Sequence, residues 1–442
     1  MRKNIAAILM ESLEDRVCLS AAPVGAAPAA PPAPALPPVT ITTRKLGTMN
    51  QLDIVGTSSN DSILVTQSGT TLTIVANGRT IKFTGAIDEI MIDGVTGGDT
   101  ITVDSSVIIN TLVYSGKGGS NTITDLGRGW NVIVTVGNSA ADKVRGNGVN
   151  TSYWADGNDA LTYTTAEYAA GGVHRITDYY QPFSTSPTNA KYIPLTRNGQ
   201  ALPDPTDTGT TIRLTNRALW GTAPTMADVN QGGLGDCYFL ADLAALANQS
   251  PNRLRNMAVD LGDGTYAVQF VRSGVTSYVR VDGDLSAGYF NGLAYAHPGA
   301  SGDIWAPIME KAYAFFRTGA NTYNSLNAGW MGSVFSDLGL ANTTLYLKSS
   351  VSSLVSLFQT ALNAGKTVTV ATNSAIIGGS SLIGNHAYSL IGASITQGVA
   401  TFLIRNPWGV DGIGHDANPN DGLVTLTATD MLNNIVWGSM VT

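Results

Sequence analysis

The spacing of hydrophobic and polar residues changes near residue 211 and divides the chain into two differently patterned parts. Residues 39–163 contain short runs in which apolar and polar residues alternate, with glycines and other turn formers between the runs. Such alternation is typical of half-buried β-strands. After residue 211, apolar residues fall at helical spacing in some segments and alternate in others. The pattern therefore predicts an all-β region followed by an α+β domain.

A weak internal repeat organises the first part. Each unit has a glycine, a few small residues, an Asp or Asn, one further residue, and then Ile, Leu or Val. The acidic or amide position falls at Asp61, Asp99, Asn121, Asp142 and Asp159, so the steps are 38, 22, 21 and 17 residues. We interpret the first step as two periods of about 19 residues. A period near 20 with short strands predicts a parallel β-solenoid over residues 39–165.

The same units resemble degenerate haemolysin-type glycine and aspartate nonapeptides, which bind calcium between the turns of a β-roll. Residues 94–102 and 116–124 match best, whereas other units lack glycines. The resemblance implies that Asp99 and Asp142 are calcium ligands. Alternatively, Asp and Asn occupy these turns because their side chains hydrogen-bond the backbone. We favour this second interpretation.

A glycine-rich loop with Gly232, Gly233 and Gly235 leads directly into a helical pattern that begins at Cys237. The first turn of a helix places a thiol beside free backbone N–H groups and the positive end of the macrodipole, which lower the pKa of the thiol. Cys237 is accordingly a candidate nucleophile. The alternative is an inert core cysteine.

Two further helical patterns have a structural interpretation. One predicts a buried helix whose core residues are Trp305, Ile308, Met309, Ala312 and Phe316. Glu310 and Lys311 lie in the same segment, and we expect them to hold the fold. The other pattern predicts an amphipathic helix over residues 351–364 that ends at Gly365.

Two strand patterns, residues 386–394 and 400–406, flank a turn at residues 396–398. If the turn is centred on Thr396, His386 lies opposite Asn406 at the open end of the hairpin. The Asn side-chain oxygen can accept a hydrogen bond from one ring nitrogen and thereby orient the other. Cys237, His386 and Asn406 would then supply a nucleophile, a base and an orienting group. A purely structural His–Asn pair is the alternative.

The amino-acid composition argues against several classes of protein. The 442 residues have a formal net charge of −7, with 13% charged and 43% hydrophobic residues. This balance disfavours a nucleic-acid-binding surface and excludes a wholly disordered chain. No apolar run approaches the roughly 18–20 residues of a membrane helix. Cys18 and Cys237 are the two cysteines of the chain, so no disulfide framework is expected.

Four motifs in the second part resemble the catalytic core of calpains, which are cysteine peptidases related to papain. They are residues 231–240 (QGGLGDCYFL), 304–314 (IWAPIMEKAYA), 384–388 (GNHAY) and 405–409 (RNPWG). The resemblance covers about residues 211–442. It implies two subdomains in a papain-like α+β core, a Cys subdomain at 211–335 and a His/Asn subdomain at 336–442.

Carried over to this sequence, the resemblance assigns a role to each of five residues. The roles are those of a thioester-forming nucleophile (Cys237), a general acid and base (His386), its orienting partner (Asn406), an oxyanion donor (Gln231) and a shield over the His–Asn bond (Trp408). The implied mechanism has a Cys237 thiolate, paired with protonated His386, attack the peptide carbonyl. The expected substrates are therefore proteins or peptides.

Calpain cores also bind two calcium ions, which makes calcium a candidate cofactor. Asp228 matches an acidic position of the first site, and Asp421 matches one of the second. Asn324 and Leu423 stand where the family has carboxylates. Oxygen donors for a modified second site would be Asp411, Asp416 and Asp421.

The first 38 residues are interpreted as an export and sorting segment that continues into a Pro/Ala linker. Residues 13–20 (LEDRVCLS) resemble a sorting motif of exported bacterial surface proteins, so export and attachment to the cell surface are expected. Residues 166–210 have the composition of a second linker. His174 is expected to be a polar surface residue.

Three functions are consistent with these observations. The favoured one is an exported calpain-like cysteine endopeptidase tethered by a β-solenoid. The second is a surface adhesion or scaffold protein whose peptidase domain is inactive. The third is acyl transfer by a related Cys–His fold, which the Asn at position 406 disfavours.

Overall fold

Alternating short strands fold the first part of the chain into two facing seven-stranded sheets. The computed structural model describes residues 38–138, 140–182, 201–288, 292–299, 301–347, 350–378, 380–412 and 418–442. The predicted export segment, up to residue 37, and Asp416 lie outside these described residues.

The strands of the first part are β1 (Thr40–Leu46), β2 (Met49–Val55), β3 (Ser62–Ser68), β4 (Thr71–Ala76), β5 (Arg79–Thr84), β6 (Glu89–Asp93), β7 (Thr100–Val103), β8 (Asn110–Tyr114), β9 (Thr122–Asp125), β10 (Asn131–Val134), β11 (Lys143–Arg145), β12 (Thr151–Asp156), β13 (Ala160–Thr162) and β14 (Val173–Ile176). One sheet has the order β1-β2-β6-β8-β10-β12-β14, and the other has the order β13-β11-β9-β7-β3-β4-β5.

Successive coils pair in parallel and stack equivalent apolar residues. Ile101 pairs with Ile123, and Ile123 pairs with Val144. These side chains belong to one apolar core enclosed by the two sheets. The predicted parallel β-solenoid is therefore confirmed.

The interpretation of the first repeat step as two periods is wrong. Ile63 pairs directly with Ile101, so Asp61 and Asp99 belong to neighbouring coils. The extra length is taken up by β4 and β5, which extend β3 as an antiparallel hairpin. At the other end, helix α1 (Thr165–Ala169) and β14 lie within the segment 166–210 or at its border, and β14 pairs in parallel with β12.

Among its described residues the second part contains six α-helices, α2 (Cys237–Gln249), α3 (Pro251–Arg255), α4 (Trp305–Phe316), α5 (Met331–Asp337), α6 (Val351–Asn363) and α7 (Ala428–Asn434). Its strands are β15 (Thr211–Arg213), β16 (Ala258–Asp260), β17 (Thr265–Arg272), β18 (Val275–Asp282), β19 (Asp284–Ser286), β20 (Asn342–Tyr346), β21 (Val368–Thr372), β22 (Ala387–Thr396), β23 (Val399–Arg405), β24 (Leu423–Thr427) and β25 (Ile435–Val441).

Helix α2 is buried along nearly its whole length because it lies between two groups of elements. On one side it shares a core with α4 and the three-stranded sheet β16-β17-β18. On the other side it contacts β22 of the six-stranded sheet β20-β25-β21-β22-β23-β24. The predicted core residues of α4 are all buried, and α6 occupies the predicted amphipathic segment. The predicted α+β domain is thus confirmed.

The solenoid packs on the second domain through the outer face of its first sheet. Trp154 of β12 is fully buried and meets the edge of Tyr278 on β18, with ring centroids 5.9 Å apart. The shared apolar cluster includes Met91, Tyr114 and Val134 of the solenoid with Val259, Leu261 and Ala267 of the second domain. The two domains therefore have a common buried interface.

The expectation that His174 lies on the surface is wrong. Its ring is fully buried and stacks on Trp154, with centroids 3.8 Å apart and planes inclined by 18°. Burial lowers the pKa of His174 to about 3, so the ring is neutral at pH 7. The solenoid face that packs against the second domain accounts for this burial.

The hairpin formed by β22 and β23 has a different register from the predicted one. Thr396 pairs with Val399, and the turn residues Gln397 and Gly398 have φ values of 50° and 81°. A bulge after Leu390 then brings Ser389 opposite Arg405. Relative to the prediction, the ladder is displaced by three residues near the turn and by two residues beyond the bulge. His386 and Asn406 lie just outside the two strands, at the same end of the hairpin.

No helix in the described part of the chain has the length and apolar character needed to cross a membrane.

Candidate active site

Cys237 is the first residue of α2, at the end of the glycine-rich loop. The loop runs so close to a neighbouring segment that a Cβ on Gly232 would lie 2.2 Å from the carbonyl oxygen of Tyr295. Glycine is therefore required at this position. The thiol is partly exposed, and the backbone of Ala387 is within hydrogen-bonding reach of it. Since Ala387 follows His386, the nucleophile candidate lies beside the start of β22.

The pKa of the Cys237 thiol is raised, chiefly by burial. Hydrogen bonding to the backbone of Ala387 lowers it, and the neighbouring carboxyl of Asp236 raises it further. The backbone N–H groups of Cys237 and Tyr238 at the helix start do lower this pKa, as predicted, but the net shift is upward. Removal of the thiolate from water outweighs the stabilisation by the N–H groups of the first turn.

His386 and Asn406 are in direct contact. The Nε2 atom of His386 lies 2.9 Å from Oδ1 of Asn406, and the same oxygen accepts the backbone N–H of Trp408 at 3.1 Å. Because Oδ1 is an acceptor, Nε2 carries the ring proton, and Nδ1 of the neutral ring is the basic nitrogen. Burial lowers the pKa of His386 to about 4, and the bond to Asn406 opposes this shift.

Two aromatic rings enclose the His–Asn hydrogen bond. The ring of Trp408 lies 5.1 Å from that of His386, and the ring of Tyr388 lies 4.9 Å from it at an angle of 85°. Asn406 has no exposed area, whereas Trp408 is 37% exposed. Trp408 therefore covers the outer side of the bond and limits the access of water to it.

Direct hydrogen bonds join the two sides of the site. The backbone N–H of Gln231 donates to the carbonyl of Pro407 at 2.8 Å. Arg405 donates from Nη2 to the carbonyl of Val229 at 2.8 Å. The loop before Cys237 is thus fixed to the segment that carries Asn406.

The side chain of Gln231 is ordered within that loop. Its Nε2 atom donates a hydrogen bond to the carbonyl of Leu234 at 2.6 Å. Gln231 therefore carries its amide on the segment that leads into Cys237, and in this structure the amide donates to Leu234.

Two buried carboxyl groups adjoin the site. Asp236 immediately precedes Cys237, and its carboxyl is hydrogen-bonded to that of Glu310 on α4. Sequence reasoning assigns Glu310 a structural role only and does not consider Asp236. The sequence does carry a signal for this pair. An Asp or Glu inside an apolar segment is rarely buried without a partner, so each of these residues indicates that a polar partner lies nearby.

The Asp228 carboxylate is engaged by protein donors. Its Oδ1 accepts the hydroxyl of Ser301 at 2.6 Å, and its Oδ2 accepts the N–H of Thr225 at 2.7 Å and the indole N–H of Trp305 at 3.4 Å. Asn324 donates its backbone N–H to Asp207 at 2.8 Å. At the first predicted calcium site, the Asp228 carboxylate and the Asn324 backbone N–H therefore have hydrogen-bond partners within the protein.

The second predicted calcium position is similarly occupied by protein donors. Asp421 accepts the N–H of Leu423 and the side-chain amide of Asn418, each at 2.8 Å. Asp411 is buried, and its backbone bonds to Pro419 and Asn406. Across the described residues, no three His, Cys, Asp or Glu side chains come close enough together to hold a metal ion.

Asp99 and Asp142 belong to a side-chain ladder along the solenoid. Asp99 accepts the backbone N–H of Asp61 at 2.7 Å, and Asp142 accepts that of Asn121 at 2.7 Å. Their own N–H groups donate to Asn121 and Asp159 of the next coils at 2.8 Å. In this structure both carboxylates therefore act as acceptors for the backbone of the adjacent coil.

The comparisons with known proteins concern the second domain. Residues 211–415, which include Cys237, His386 and Asn406, match the model of the calpain family cysteine protease. Rat calpain-13 (Rattus norvegicus) is 31% identical over 198 residues, which are 41% of this chain and 29% of that protein. The human (Homo sapiens) calpain-2 catalytic subunit is 29% identical over 201 residues, and human calpain-8 is 31% identical over 202 residues; each match covers 42% of this chain and 28% of the relative. The chain thus spans less than a third of the length of these relatives.

Proposed function

We propose that the calpain-family cysteine protease domain at residues 211–415 is an active endopeptidase that cleaves proteins or peptides through a Cys237 thioester. The observation that carries the proposal is the 2.9 Å contact between His386 and Asn406, next to the helix that starts at Cys237. A nucleophile, a base and an orienting group in one site are the requirements for amide hydrolysis through an acyl-enzyme.

In the proposed mechanism, the resting thiol and imidazole are both neutral, because burial raises the pKa of Cys237 and lowers that of His386. As the sulfur attacks the scissile carbonyl, its proton passes to Nδ1 of His386. Asn406 keeps Nε2 protonated and the ring oriented. His386 then gives the proton to the leaving amine as the C–N bond breaks. Finally it deprotonates the water that hydrolyses the thioester, and the proton returns to the sulfur.

The developing oxyanion needs donors in this mechanism. We assign that role to the Gln231 side-chain amide and the backbone N–H of Cys237, which lie on the same loop-to-helix junction. One such donor contributes about 2.7–4 kcal/mol of transition-state stabilisation.

Casein cleavage tests the proposed activity. The purified chain under reducing conditions is expected to release casein fragments, and prior alkylation with iodoacetamide is expected to abolish the release. Cross-linked casein would indicate acyl transfer instead. Intact casein under every condition would contradict both enzymatic functions and favour a surface adhesion or scaffold protein with an inactive domain.

Calcium does not fit the described residues at the positions that the family resemblance suggests. Asp228 and Asp421 already accept hydrogen bonds from protein donors, and Gln231 and Arg405 join the two sides of the site directly. We therefore expect casein cleavage to proceed at the same rate in excess EGTA and in added calcium chloride. A loss of cleavage in EGTA that calcium restores would contradict this expectation.

We also propose that the chain is exported and held at the cell surface, with the solenoid as a rigid mount for the peptidase. The support is the sorting-motif resemblance of residues 13–20 and the apolar cluster that the solenoid shares with the second domain. Fractionation of the cells that produce the full chain is expected to recover it in the surface or extracellular fraction. Recovery from the cytoplasm alone would argue against export.

A further inference from the structure

Asp236 and Glu310 form a buried carboxyl pair next to the nucleophile. Asp236 has no exposed area and stands at the N-cap of α2, yet its side chain makes no capping hydrogen bond. Glu310 is 1% exposed and projects from α4. The two carboxyl groups are hydrogen-bonded to each other.

The surroundings of the pair require a proton between the two groups. No donor of the described residues makes a hydrogen bond of ordinary geometry to either oxygen of Asp236. Besides Glu310, the carboxyl interacts with its own backbone N–H and with the Gln231 amide. Glu310 accepts the backbone N–H of Ala296 at 3.0 and 3.2 Å. Two carboxylates in contact repel each other strongly when both are buried, so one of them retains a proton.

No basic side chain of the described residues acts on either carboxyl group. The other titratable groups that face the pair are Cys237 and Tyr238 of α2, together with Tyr295 and Tyr323. Burial raises the pKa of Asp236 to about 7 and that of Glu310 well above its ordinary range. A charged Asp236 in turn raises the pKa of the adjacent Cys237 thiol.

We propose that Asp236 and Glu310 share one proton and that this shared proton controls the reactivity of Cys237. The pair limits the negative charge beside the sulfur, and Asp236 contacts the amide of Gln231 on the same loop. Both are positioning residues, because they act through Cys237 and Gln231. The inference deepens the proposed function and rests on it for the role of Cys237 as the reacting group.

The test measures the reactivity of the thiol itself. The full chain is prepared with Cys18→Ser, which leaves Cys237 as its single cysteine, and the rate of alkylation by iodoacetamide is followed against pH. Asp236→Asn removes the charge nearest the sulfur and is expected to lower the midpoint by about one pH unit, a ~tenfold gain in thiolate below the midpoint. Glu310→Gln keeps a donor for Asp236 but removes the shared proton, so the full negative charge falls on Asp236 beside the sulfur. This variant is therefore expected to raise the midpoint.

The control is Asp125→Asn, which removes a fully buried carboxyl from the solenoid and is expected to leave the midpoint unchanged. Thermal unfolding reports whether each variant is folded. With both variants folded, an unchanged or higher midpoint in Asp236→Asn, or an unchanged or lower midpoint in Glu310→Gln, would overturn the inference. If the two midpoints move in these opposite directions while casein stays intact, the shared proton is supported and the proposed peptidase function fails. If casein is cleaved and the midpoints do not move, the inference alone fails.

Discussion

Replacement of Cys237 by Ala is expected to lower kcat for peptide hydrolysis by about 10⁶, which is the effect of removing the nucleophile from a hydrolase that works through an acyl-enzyme. Within the described residues Cys237 is the one free cysteine, so no other thiol of that part of the chain can take its place. His386 and Asn406 retain their contact in this variant, but without the sulfur they cannot form the thioester. The measurement is the cleavage rate of casein or a fluorogenic peptide at saturating substrate.

The matched control is Cys18→Ser, which changes the other cysteine of the chain and is expected to leave the cleavage rate unaltered. The alanine variant removes one partly exposed sulfur atom at the start of a buried helix, so its thermal unfolding is expected to stay close to that of the unchanged chain. A folded Cys237→Ala protein that retains more than about a tenth of the activity would contradict the assignment, since such a residue could contribute only ~1.4 kcal/mol to the barrier.

The site residues could be recognised in the sequence because their signals are local. A cysteine after a glycine-rich loop, a His before a strand and an Asn after the next strand are visible without a structure. The hairpin register could not be derived in the same way. The turn lies at Gln397 and Gly398 and is not centred on Thr396, which displaces the ladder by three residues, and the bulge after Leu390 then reduces the displacement to two. The His386–Asn406 contact nevertheless forms, because both residues flank the open end of the hairpin.

The pKa values in the site depend on contacts between segments that are far apart in the sequence. The helix start at Cys237 is a local feature, and it favours a thiolate. Desolvation arises only when β22 packs on α2 and brings Ala387 to the sulfur. The solenoid likewise has a feature that local sequence predicts and one that it does not. The repeat predicts the strands, but it does not predict that His174 is buried. Its burial results from the packing of the solenoid on a domain that begins more than 30 residues later.

Replacement of Trp154 by Ala is expected to reduce the free energy of unfolding by about 3–5 kcal/mol, the range for truncating a buried aromatic residue to Ala. The Trp154 ring stacks on His174, meets Tyr278 of the second domain, and donates its indole N–H to Ser152 at 2.9 Å. The truncation leaves a cavity at the interface and removes the partner of a buried neutral imidazole. Chemical denaturation of the full chain measures the change.

The number of unfolding transitions in denaturant distinguishes an interface residue from a core residue. Ile133→Ala is the matched comparison, because Ile133 is 1% exposed inside the solenoid core and lies on the opposite face of the sheet from the interface. That variant is expected to unfold in a single transition at lower denaturant concentration, since the domain interface is intact. Trp154→Ala is expected to separate solenoid and peptidase unfolding into two transitions, with tryptophan fluorescence and casein cleavage lost at different concentrations. A single shared transition in Trp154→Ala, or a loss below about 1 kcal/mol, would mean that Trp154 contributes little to coupling the domains.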